Sequence, residues 1–314
     1  MNRLKIQLFS ILILLSLVSC NPKPSVITSN TQISITTITP SPTESVIHTP
    51  PTETTTVTNV SSGSMLEVYF LDVGQGDSEI LRYGNKTMLI DAGTNASTST
   101  LLNDIKDLGI TQFDFVVATH PHEDHIGGLD AVINNFSIGK LYMPNVTTTT
   151  KTYMDVLTAI KNKGYTITTP VPGSTFNLGD VQCTILAPNS QKYDDMNNYS
   201  IVIRVTYGTT SFLFTGDAQA LSEQEMLSKG YNLKADVLKV GHHGSNSSTT
   251  QQFLNAVSPK YGVIEVGAGN DYGHPHQVTL DKLVSANVTV YRTDLNGTII
   301  FKSDGSGITV TSQR

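Results

Sequence analysis

Residues 113–129 read FDFVVATHPHEDHIGGL and join an apolar run to a dense cluster of histidine and carboxylate side chains. The apolar run 113–118 predicts a buried strand. His120 and His122 follow on the turn at its end, where extended spacing lets both imidazoles point the same way and hold one metal ion. Asp124 and His125 come where the chain enters a helix, and they are placed to bind a second metal ion beside the first.

The density of this cluster favours a metal site over a group of solvated loop histidines. Three of the eight histidines of the chain and two carboxylates fall within residues 120–125. That order is far more specific than a single pair of histidines two residues apart. Imidazole and carboxylate ligands suit zinc, manganese and iron, so the ligand types alone do not fix the metal.

The H-x-H-x-D-H order of residues 120–125 resembles the signature of the metallo-β-lactamase fold. Within that superfamily the chain is similar to the hydrolase domain of ComEC-type DNA-uptake proteins. The resemblance covers about residues 65–314 and implies an α/β fold, the four-layer αβ/βα sandwich. The predicted elements agree with it, because two runs of strands interleaved with helices are what two stacked sheets with outer helices require.

The predicted elements follow from apolar periodicity and from glycine-rich turns. Strands are expected at 66–73, 78–83, 86–90, 113–118, 165–169, 181–186, 201–207, 211–214, 236–240, 261–266, 288–291, 298–301 and 308–311. Helices are expected at 101–108, 126–136, 152–163, 218–229, 249–257 and 278–285.

The first 64 residues predict a targeting segment and a tether. Residues 1–20 have a basic start and a short apolar core, and they end in Leu17-Val18-Ser19-Cys20. This pattern predicts a lipoprotein signal peptide in which Cys20 is lipidated; the alternative is an ordinary signal peptide that contains a cysteine. Residues 21–64 are rich in Thr, Ser and Pro, which predicts a disordered tether before a hydrolase domain at 65–314. Cys183 is then a single thiol inside a strand.

The resemblance also assigns roles beyond the first cluster. It implies that Asp217 bridges two metal ions and that Asp91 supports the metal-binding histidines, whereas Asp77 is expected to be structural. His242 or His243 is the last metal ligand, with His242 favoured and the other residue facing substrate. His274, in the same loop as His276, is expected to bind a phosphate or to protonate the leaving oxygen.

One position departs from the most familiar members of the superfamily. They carry a third histidine for the first metal between the H-x-H-x-D-H motif and the bridging aspartate, and no histidine lies between His125 and His242 here. The segment 197–200 matches an Asn-x-x-Ser pattern of the ComEC-type branch. Asn197 or Asn198 is therefore expected near the vacant position as a weak oxygen ligand, which makes manganese more plausible there.

These residues together predict an extracytoplasmic, lipid-anchored hydrolase. Two divalent ions, zinc or manganese, would hold a hydroxide, with Asp124, Asp217 and His274 as the catalytic residues. The expected reaction is cleavage of a phosphodiester in a small molecule, a polymer or DNA. The alternatives are a lactonase or β-lactamase, a phosphorylcholine esterase of surface polymers, and a non-catalytic surface binding protein.

Charge and hydropathy limit the partners. The net charge of −6 and the lack of a Lys/Arg run argue mildly against avid DNA binding. No segment after residue 20 is apolar enough over about 20 residues to span a bilayer, so the chain is not expected to conduct DNA itself. No protein partner is predicted.

Overall fold

The computed structural model describes residues 64–314, and this part of the chain contains fifteen β-strands and eight α-helices. The predicted signal peptide, Cys20 and nearly all of the predicted tether lie outside the described residues. The strands are β1 Leu66–Phe70, β2 Glu79–Tyr83, β3 Lys86–Ile90, β4 Gln112–Val117, β5 Ser137–Tyr142, β6 Ile167–Thr168, β7 Thr175–Leu178, β8 Val181–Ala187, β9 Val202–Tyr207, β10 Thr210–Phe214, β11 Val237–Lys239, β12 Tyr261–Ile264, β13 Thr289–Arg292, β14 Ile299–Ser303 and β15 Ile308–Ser312. The helices are α1 Thr98–Asp107, α2 Glu123–Ile126, α3 Leu129–Asn135, α4 Lys151–Lys163, α5 Ala220–Ser228, α6 Gln251–Val257, α7 Gln277–Ser285 and α8 Thr293–Asn296.

The strands form two sheets with the same arrangement of antiparallel and parallel strands. The first sheet has the order β15-β14-β1-β2-β3-β4-β5-β6, and the second has the order β13-β12-β11-β10-β9-β8-β7. Each contains an antiparallel run, β1 to β3 or β7 to β10, that continues into parallel strands, β3 to β6 or β10 to β13. Parallel neighbours need crossovers, and α1 to α4 supply them in the first sheet as α5 to α7 do in the second.

Three hydrophobic clusters separate four layers. One lies between the sheets, where Phe70 packs against Phe214 and Phe301 with 5.8 Å between ring centroids in both pairs. A second joins the outer face of the first sheet to its helices, and a third does the same for the second sheet. Helix α1, for example, packs one apolar face inward, because Leu101 and Ile105 are four residues apart and lie on the same side of the helix. The predicted αβ/βα sandwich is thereby confirmed.

The structure differs from the predicted elements at one helix and at two strands, and helix α8 was not predicted. The expected helix at 126–136 is two helices, α2 and α3, interrupted at Gly127 and Gly128. A Cβ on Gly127 would lie 2.1 Å from the backbone nitrogen of Asn95, so no larger residue fits at this contact. Strands β5 and β7 were not predicted, because β5 (SIGKLY) has an interior glycine and no strict alternation, and β7 (TFNL) has only four residues.

The closing strands were not assigned to a sheet from the sequence. The closing strands β14 and β15 return to the first sheet, where β14 pairs antiparallel with β1, whereas β13 stays in the second. Cys183 lies fully buried in β8, as expected, and burial raises the pKa of its thiol to about 12. Among the described residues, no helix has the length and apolar character needed to cross a membrane.

Candidate active site

The polar residues of the site come from the ends of parallel strands in both sheets. Asp91 directly follows β3, and His120 lies three residues after β4. In the second sheet Asp217 follows β10, His243 follows β11, and Glu265 follows β12. The carboxyl ends of parallel strands meet at one edge of a sheet, and functional groups collect in the crevice beyond them. Residues far apart in the sequence are brought together at this edge.

Two groups of potential metal ligands lie side by side there. The His120 group consists of His120, His122 and Asp217, and the His243 group consists of Asp124, His125, Asp217 and His243. In each group, one ligand atom from every member lies within 4.8 Å of the others. Asp217 belongs to both groups.

Asp217 lies at the junction with its two oxygens in different surroundings. Its Oδ2 atom is 3.3 Å from Nε2 of His125 and 3.8 Å from Nε2 of His120, whereas Oδ1 is 3.6 Å from Nε2 of His243. Its backbone N–H donates to Oγ of Ser200 at 3.1 Å, which fixes the turn after β10. This is the placement that a bridging carboxylate needs.

Several atoms of the site are buried without a hydrogen-bond partner among the described residues. They include Nε2 of His125, Nε2 of His243 and Oδ1 of Asp217. Buried polar atoms are normally paired, so unpaired atoms that converge on one point indicate a missing partner. Imidazole nitrogens and carboxylate oxygens are ligands of first-row divalent metals, and the donor set therefore fits such an ion.

Asp91 lies behind the His243 group and fixes the orientation of His125. Its carboxylate accepts from the backbone N–H of Thr119 at 2.7 Å, from Oγ1 of Thr119 at 2.6 Å and from Nδ1 of His125 at 2.7 Å. A carboxylate on Nδ1 leaves Nε2 of the same ring free for a metal and raises its basicity. This is the position that the expected supporting role requires.

The turn after β11 decides which of two neighbouring histidines enters the His243 group. His242 and His243 both have left-handed backbone angles, with φ of 51° and 50°. The turn sends the His243 ring inward, while the His242 side chain keeps 21% exposure and contacts Ser247 Oγ through Nδ1 at 3.0 Å. The geometry groups His243 with Asp124, His125 and Asp217, whereas His242 faces the cavity with its Nε2 3.6 Å from Oδ2 of Asp217. The expectation that His242 is the ligand stays a prediction beside this grouping.

Backbone contacts also set the tautomer of His243. Its Nδ1 donates to the carbonyl of Glu265 at 2.9 Å, which leaves the lone pair on Nε2. Nε2 lies 3.2 Å from Oδ2 of Asp124. Burial alone would lower the pKa of His243, but Asp217 and Asp77 raise it to about 10, so a metal ion would have to displace a proton from this ring.

A buried charged network lies directly behind these ligands, and the sequence analysis did not find it. Nζ of Lys239 is 2.6 Å from Oδ2 of Asp77, whose Oδ1 is 3.2 Å from Nδ1 of His243. Burial alone would raise the pKa of Asp77, but Lys239 and His243 lower it to about 2. A lysine inside the apolar strand 237–240 was the one available signal, because lysine is almost never fully buried unless it is paired.

Two more carboxyl groups complete this network. Burial and the nearby Asp77 raise the pKa of Glu265 to about 8, and burial and Glu265 raise the pKa of Glu79 well above its ordinary value. Glu265 Oε1 accepts from the backbone N–H of Ser78 at 3.0 Å. The ion pair of Lys239 and Asp77 is thus accompanied by two carboxyl groups that favour protonation.

The ligands themselves respond to the concentration of charge. Burial alone would lower the pKa of His125, but Asp217 and Asp91 raise it well above its ordinary value. Burial would raise the pKa of Asp217, yet His125 and His243 lower it well below its ordinary value. The negative charge that draws a proton to His125 also attracts a divalent cation, so protons and metal compete for this site.

Both ligand groups open into a cavity of about 510 Å³. Its lining residues are Gln75, Thr94, His122, Glu123, Asp124, Asn197, Asp217, His242, His243, Tyr272 and His274. Asn197 presents a buried Oδ1 without a hydrogen-bond partner in the described residues. Asn198 instead accepts from the backbone N–H groups of Gln219 and Ser222 through Oδ1, at 3.3 and 3.2 Å, and so supports the start of α5. Of the two asparagines considered, Asn197 faces the cavity.

The loop before α7 brings a fourth histidine to the cavity. The His274 ring stacks on that of His243, with centroids 6.2 Å apart and 27° between planes. Burial, with His243 and His242 nearby, lowers the pKa of His274 to about 4. His276 does not line the cavity; its Nδ1 accepts from the backbone N–H of Asn246 at 3.0 Å and ties this loop to the turn after β11.

The opening motif of the domain packs beneath the site. Gly76 approaches so closely that a Cβ there would lie 2.4 Å from the carbonyl oxygen of Asp124. The next residue, Asp77, donates its backbone N–H to the same oxygen at 3.1 Å. The glycine is therefore required by this contact, which fixes the start of α2 and with it Asp124.

Residues 71–267 match the Metallo-beta-lactamase superfamily. The chain is 34% identical to ComE operon protein 3 of Bacillus subtilis (strain 168) over 254 residues, which cover 75% of this chain and 33% of that protein. It is 33% identical to competence protein ComA of Neisseria gonorrhoeae over 239 residues, covering 76% of this chain and 32% of that protein. The chain thus spans about a third of the length of these relatives.

A solved structure extends the similarity to the fold. The metallo-beta-lactamase fold protein YhfI from Bacillus subtilis superposes with a TM-score of 0.52 and 12% identity, covering 76% of this chain and 100% of that one. At this identity the likeness concerns the fold alone. With the match over residues 71–267 and the ligand groups at the strand ends, the chain belongs to the metallo-beta-lactamase superfamily and has its metal-dependent hydrolase fold.

Proposed function

We propose that the protein is a phosphodiesterase that uses two divalent metal ions. The observation that carries this proposal is Asp217, which belongs to both ligand groups and turns a different oxygen toward His125 and His243. Two ions joined by a carboxylate would lower the pKa of a water molecule to about 7 and would neutralise the charge that develops on a phosphoryl group.

The residues of the chain divide the work. His120, His122 and Asp217 would hold one ion, and Asp124, His125, His243 and Asp217 would hold the other. Asn197 would offer its Oδ1 in the cavity beside the His120 group, where the sequence has no third histidine. A ligand group with one amide oxygen in place of an imidazole favours manganese over zinc.

Two imidazoles would bind the substrate. His242 and His274 line the cavity with ring centroids 5.5 Å apart. With its pKa lowered to about 4, His274 is neutral near pH 7 and has one ring N–H to donate to a phosphate oxygen. This favours phosphate binding over protonation of the leaving oxygen, the other role considered for His274.

The relatives support DNA as one substrate. The two relatives that are 34% and 33% identical to this chain carry names that refer to the ComE operon or to competence. Because the chain spans only about a third of their length, their other activities are not carried over. We therefore include a single DNA strand among the substrates to be tested.

The test is a substrate panel with metal-stripped protein reloaded with manganese or zinc. We expect hydrolysis of bis-p-nitrophenyl phosphate and of single-stranded DNA, with manganese giving the higher rate. Nitrocefin, a lactone and p-nitrophenylphosphorylcholine represent the alternative functions. Hydrolysis of nitrocefin or the lactone alone would overturn the proposal, and so would binding without turnover of any of these compounds.

We also propose that the protein is held outside the cytoplasm by a lipid on Cys20, followed by the tether 21–64. The support is the sequence Leu17-Val18-Ser19-Cys20. We expect Cys20→Ala to move the protein from the membrane fraction to a soluble fraction on cell fractionation. Ser19→Ala is the matched control, since it keeps the cysteine. Unchanged membrane association of Cys20→Ala would contradict the anchor.

A further inference from the structure

Three aromatic rings run in a stack from the His243 group to solvent. The Tyr272 ring lies 5.7 Å from that of His274 with 22° between planes, and the His274 ring in turn stacks on His243. Tyr272 lines the cavity, yet 65% of the residue is exposed. One side of its ring is therefore covered by His274, and much of the remainder is free to contact a ligand.

We propose that Tyr272 is a stacking platform for a nucleobase adjacent to the phosphodiester that is cleaved. This inference rests on the proposed phosphodiesterase function and gives its site a preference for nucleotides. An aromatic ring at the mouth of a phosphate-binding cavity can stack on any base, and such contacts typically contribute about 1–3 kcal/mol per base. Recognition of this kind is tolerant of base sequence.

The side chain of Asn270 makes four hydrogen bonds within the loop that carries Tyr272. Oδ1 of Asn270 accepts from the backbone N–H groups of Tyr272 and His274, at 3.2 and 3.0 Å. Nδ2 of Asn270 donates to the carbonyls of Gly267 and His274, at 3.0 and 2.7 Å. A ring on an ordered loop loses less conformational entropy when it binds a ligand, and this favours a preformed platform.

The composition of the cavity favours a base over a quaternary ammonium group. Choline-type cations are recognised by cages of several aromatic rings. Among the described residues that line this cavity, Tyr272 is the single Phe, Tyr or Trp, which gives one flat surface and no cage. None of these lining residues is Lys or Arg either, so a nucleotide would be held by the phosphate site and by stacking, with no basic track along the backbone.

The absence of tryptophan from the sequence allows a direct binding test. Tyr272→Trp would introduce a single tryptophan at the platform, and its fluorescence would report stacking. We expect saturable quenching by thymidine 5′-monophosphate and none by methyl phosphate at the same concentration. Leu295→Trp is the matched control, because Leu295 is 61% exposed and does not line the cavity. Equal quenching of the two variants would overturn the proposal, as would quenching of Tyr272→Trp by phosphorylcholine alone.

Kinetics separate this proposal from the proposed function. Thymidine 5′-(p-nitrophenyl phosphate) and methyl p-nitrophenyl phosphate share a leaving group and differ in the base. We expect Tyr272→Ala to lower the ratio of their kcat/KM values by at least about fivefold and Tyr272→Phe to retain it. If the wild type cleaves both esters and the ratio is the same in Tyr272→Ala, the platform alone is overturned. If the wild type cleaves neither ester, the phosphodiesterase proposal is overturned, and the fluorescence titration decides the platform.

Discussion

The two ligand groups share Asp217 but differ in what lies behind them. In the His243 group, His125 is backed by the Asp91 carboxylate at 2.7 Å, and the Asp77 carboxylate lies 3.2 Å from Nδ1 of His243. In the His120 group, Nδ1 of His120 meets the hydroxyls of Thr119 and Ser200 at 3.2 and 3.3 Å. A carboxylate behind an imidazole raises its basicity, and a hydroxyl does so far less.

This difference indicates that the two groups would bind metal with different strength. His122 is partly exposed, and Nε2 of His120 lies 3.0 Å from Nδ1 of His122. Burial and the nearby His125 hold the pKa of His120 well below its ordinary value, whereas neighbouring carboxylates raise that of His125. The surroundings of His125 are therefore more negative than those of His120. We expect the His243 group to fill with metal at a lower metal concentration than the His120 group.

The largest effect is expected from removing the shared ligand. Asp217→Asn keeps the shape of the side chain but removes its charge, so both groups lose their common carboxylate. We expect hydrolysis of bis-p-nitrophenyl phosphate to fall by more than about 10³-fold, because water no longer has its pKa lowered by paired ions. Metal content by mass spectrometry should fall below that of the wild type. Activity within tenfold of the wild type would show that the groups do not depend on Asp217.

Comparing variants of the two adjacent histidines in the turn after β11 would test which of them completes the His243 group. We expect His243→Ala to weaken the tighter step of a calorimetric metal titration by about 10²-fold or more, since a ligand is lost from the buried group. His242→Ala should leave both steps in place and raise KM, because His242 faces the cavity. If His242→Ala weakened metal binding and His243→Ala only raised KM, His242 would be the ligand.

A smaller effect is expected from the residue that orients His125. Asp91→Asn should weaken metal binding at the tighter step by about 10–100-fold, because the amide no longer raises the basicity of His125. Ser200→Ala removes a neutral contact of His120 and is the matched variant for the other group. Because Ser200 Oγ also accepts from the backbone N–H of Asp217, which both groups share, we expect Ser200→Ala to weaken both steps, with the larger change in the weaker one. If both variants shift the same step equally, the groups are not independent.

The smallest effect concerns the carboxyl groups behind His243 and appears in stability. The pKa of Glu265 is raised in the folded protein to about 8, so its stabilising contribution is complete below the ordinary value of 4.5 and is lost as the pH rises through 8. We expect the free energy of unfolding of Glu265→Gln, taken relative to that of the wild type, to increase by about 1–3 kcal/mol as the pH rises from 5 to 8.

Urea unfolding of metal-free protein at pH 5, 6.5 and 8 would measure this difference. Chelator is needed because metal binding would add its own pH dependence. Glu223→Gln is a comparison at a buried carboxyl group away from the ligand groups. Burial raises the pKa of Glu223 too, but the backbone N–H groups of Thr249 and Thr250 and the nearby Lys282 oppose that shift, so we expect a smaller change with pH than for Glu265→Gln. Parallel stability curves for wild type and Glu265→Gln would contradict the raised pKa.

The sequence was sufficient for the residues that stand at the ends of strong strands. His120, His122, Asp124 and His125 lie in one short motif, and Asp217 follows an apolar strand, so local pattern and resemblance together identified them. It could not choose between the two residues of the turn after β11, because His242 and His243 are chemically identical. Two consecutive left-handed residues there direct one ring inward and the other toward the cavity, and no periodicity encodes that choice.

Apart from Asp91, the residues that support the site were found from the fold alone. Lys239, Glu79 and Glu265 come from strands that are separated in the sequence, and Tyr272 lies in a loop that sequence analysis had noted for its histidines. Their contacts are set by the stacking of two sheets, a long-range event to which local propensity does not respond. The return of β14 and β15 to the first sheet is of the same kind, because strand pairing across more than 200 residues is decided by side-chain burial between the sheets.

The sequence by itself therefore determined the family, the layered fold and the types of ligand, because apolar periodicity and a dense polar motif are local signals. Tertiary structure decided which atoms meet: it grouped His243 with Asp124 and His125, turned His242 toward the cavity, brought Asn197 to the cavity while Asn198 supports α5, and buried Lys239 against Asp77. The physical reason is that a ligand group or an ion pair exists only when distant strand ends converge in a place that excludes water.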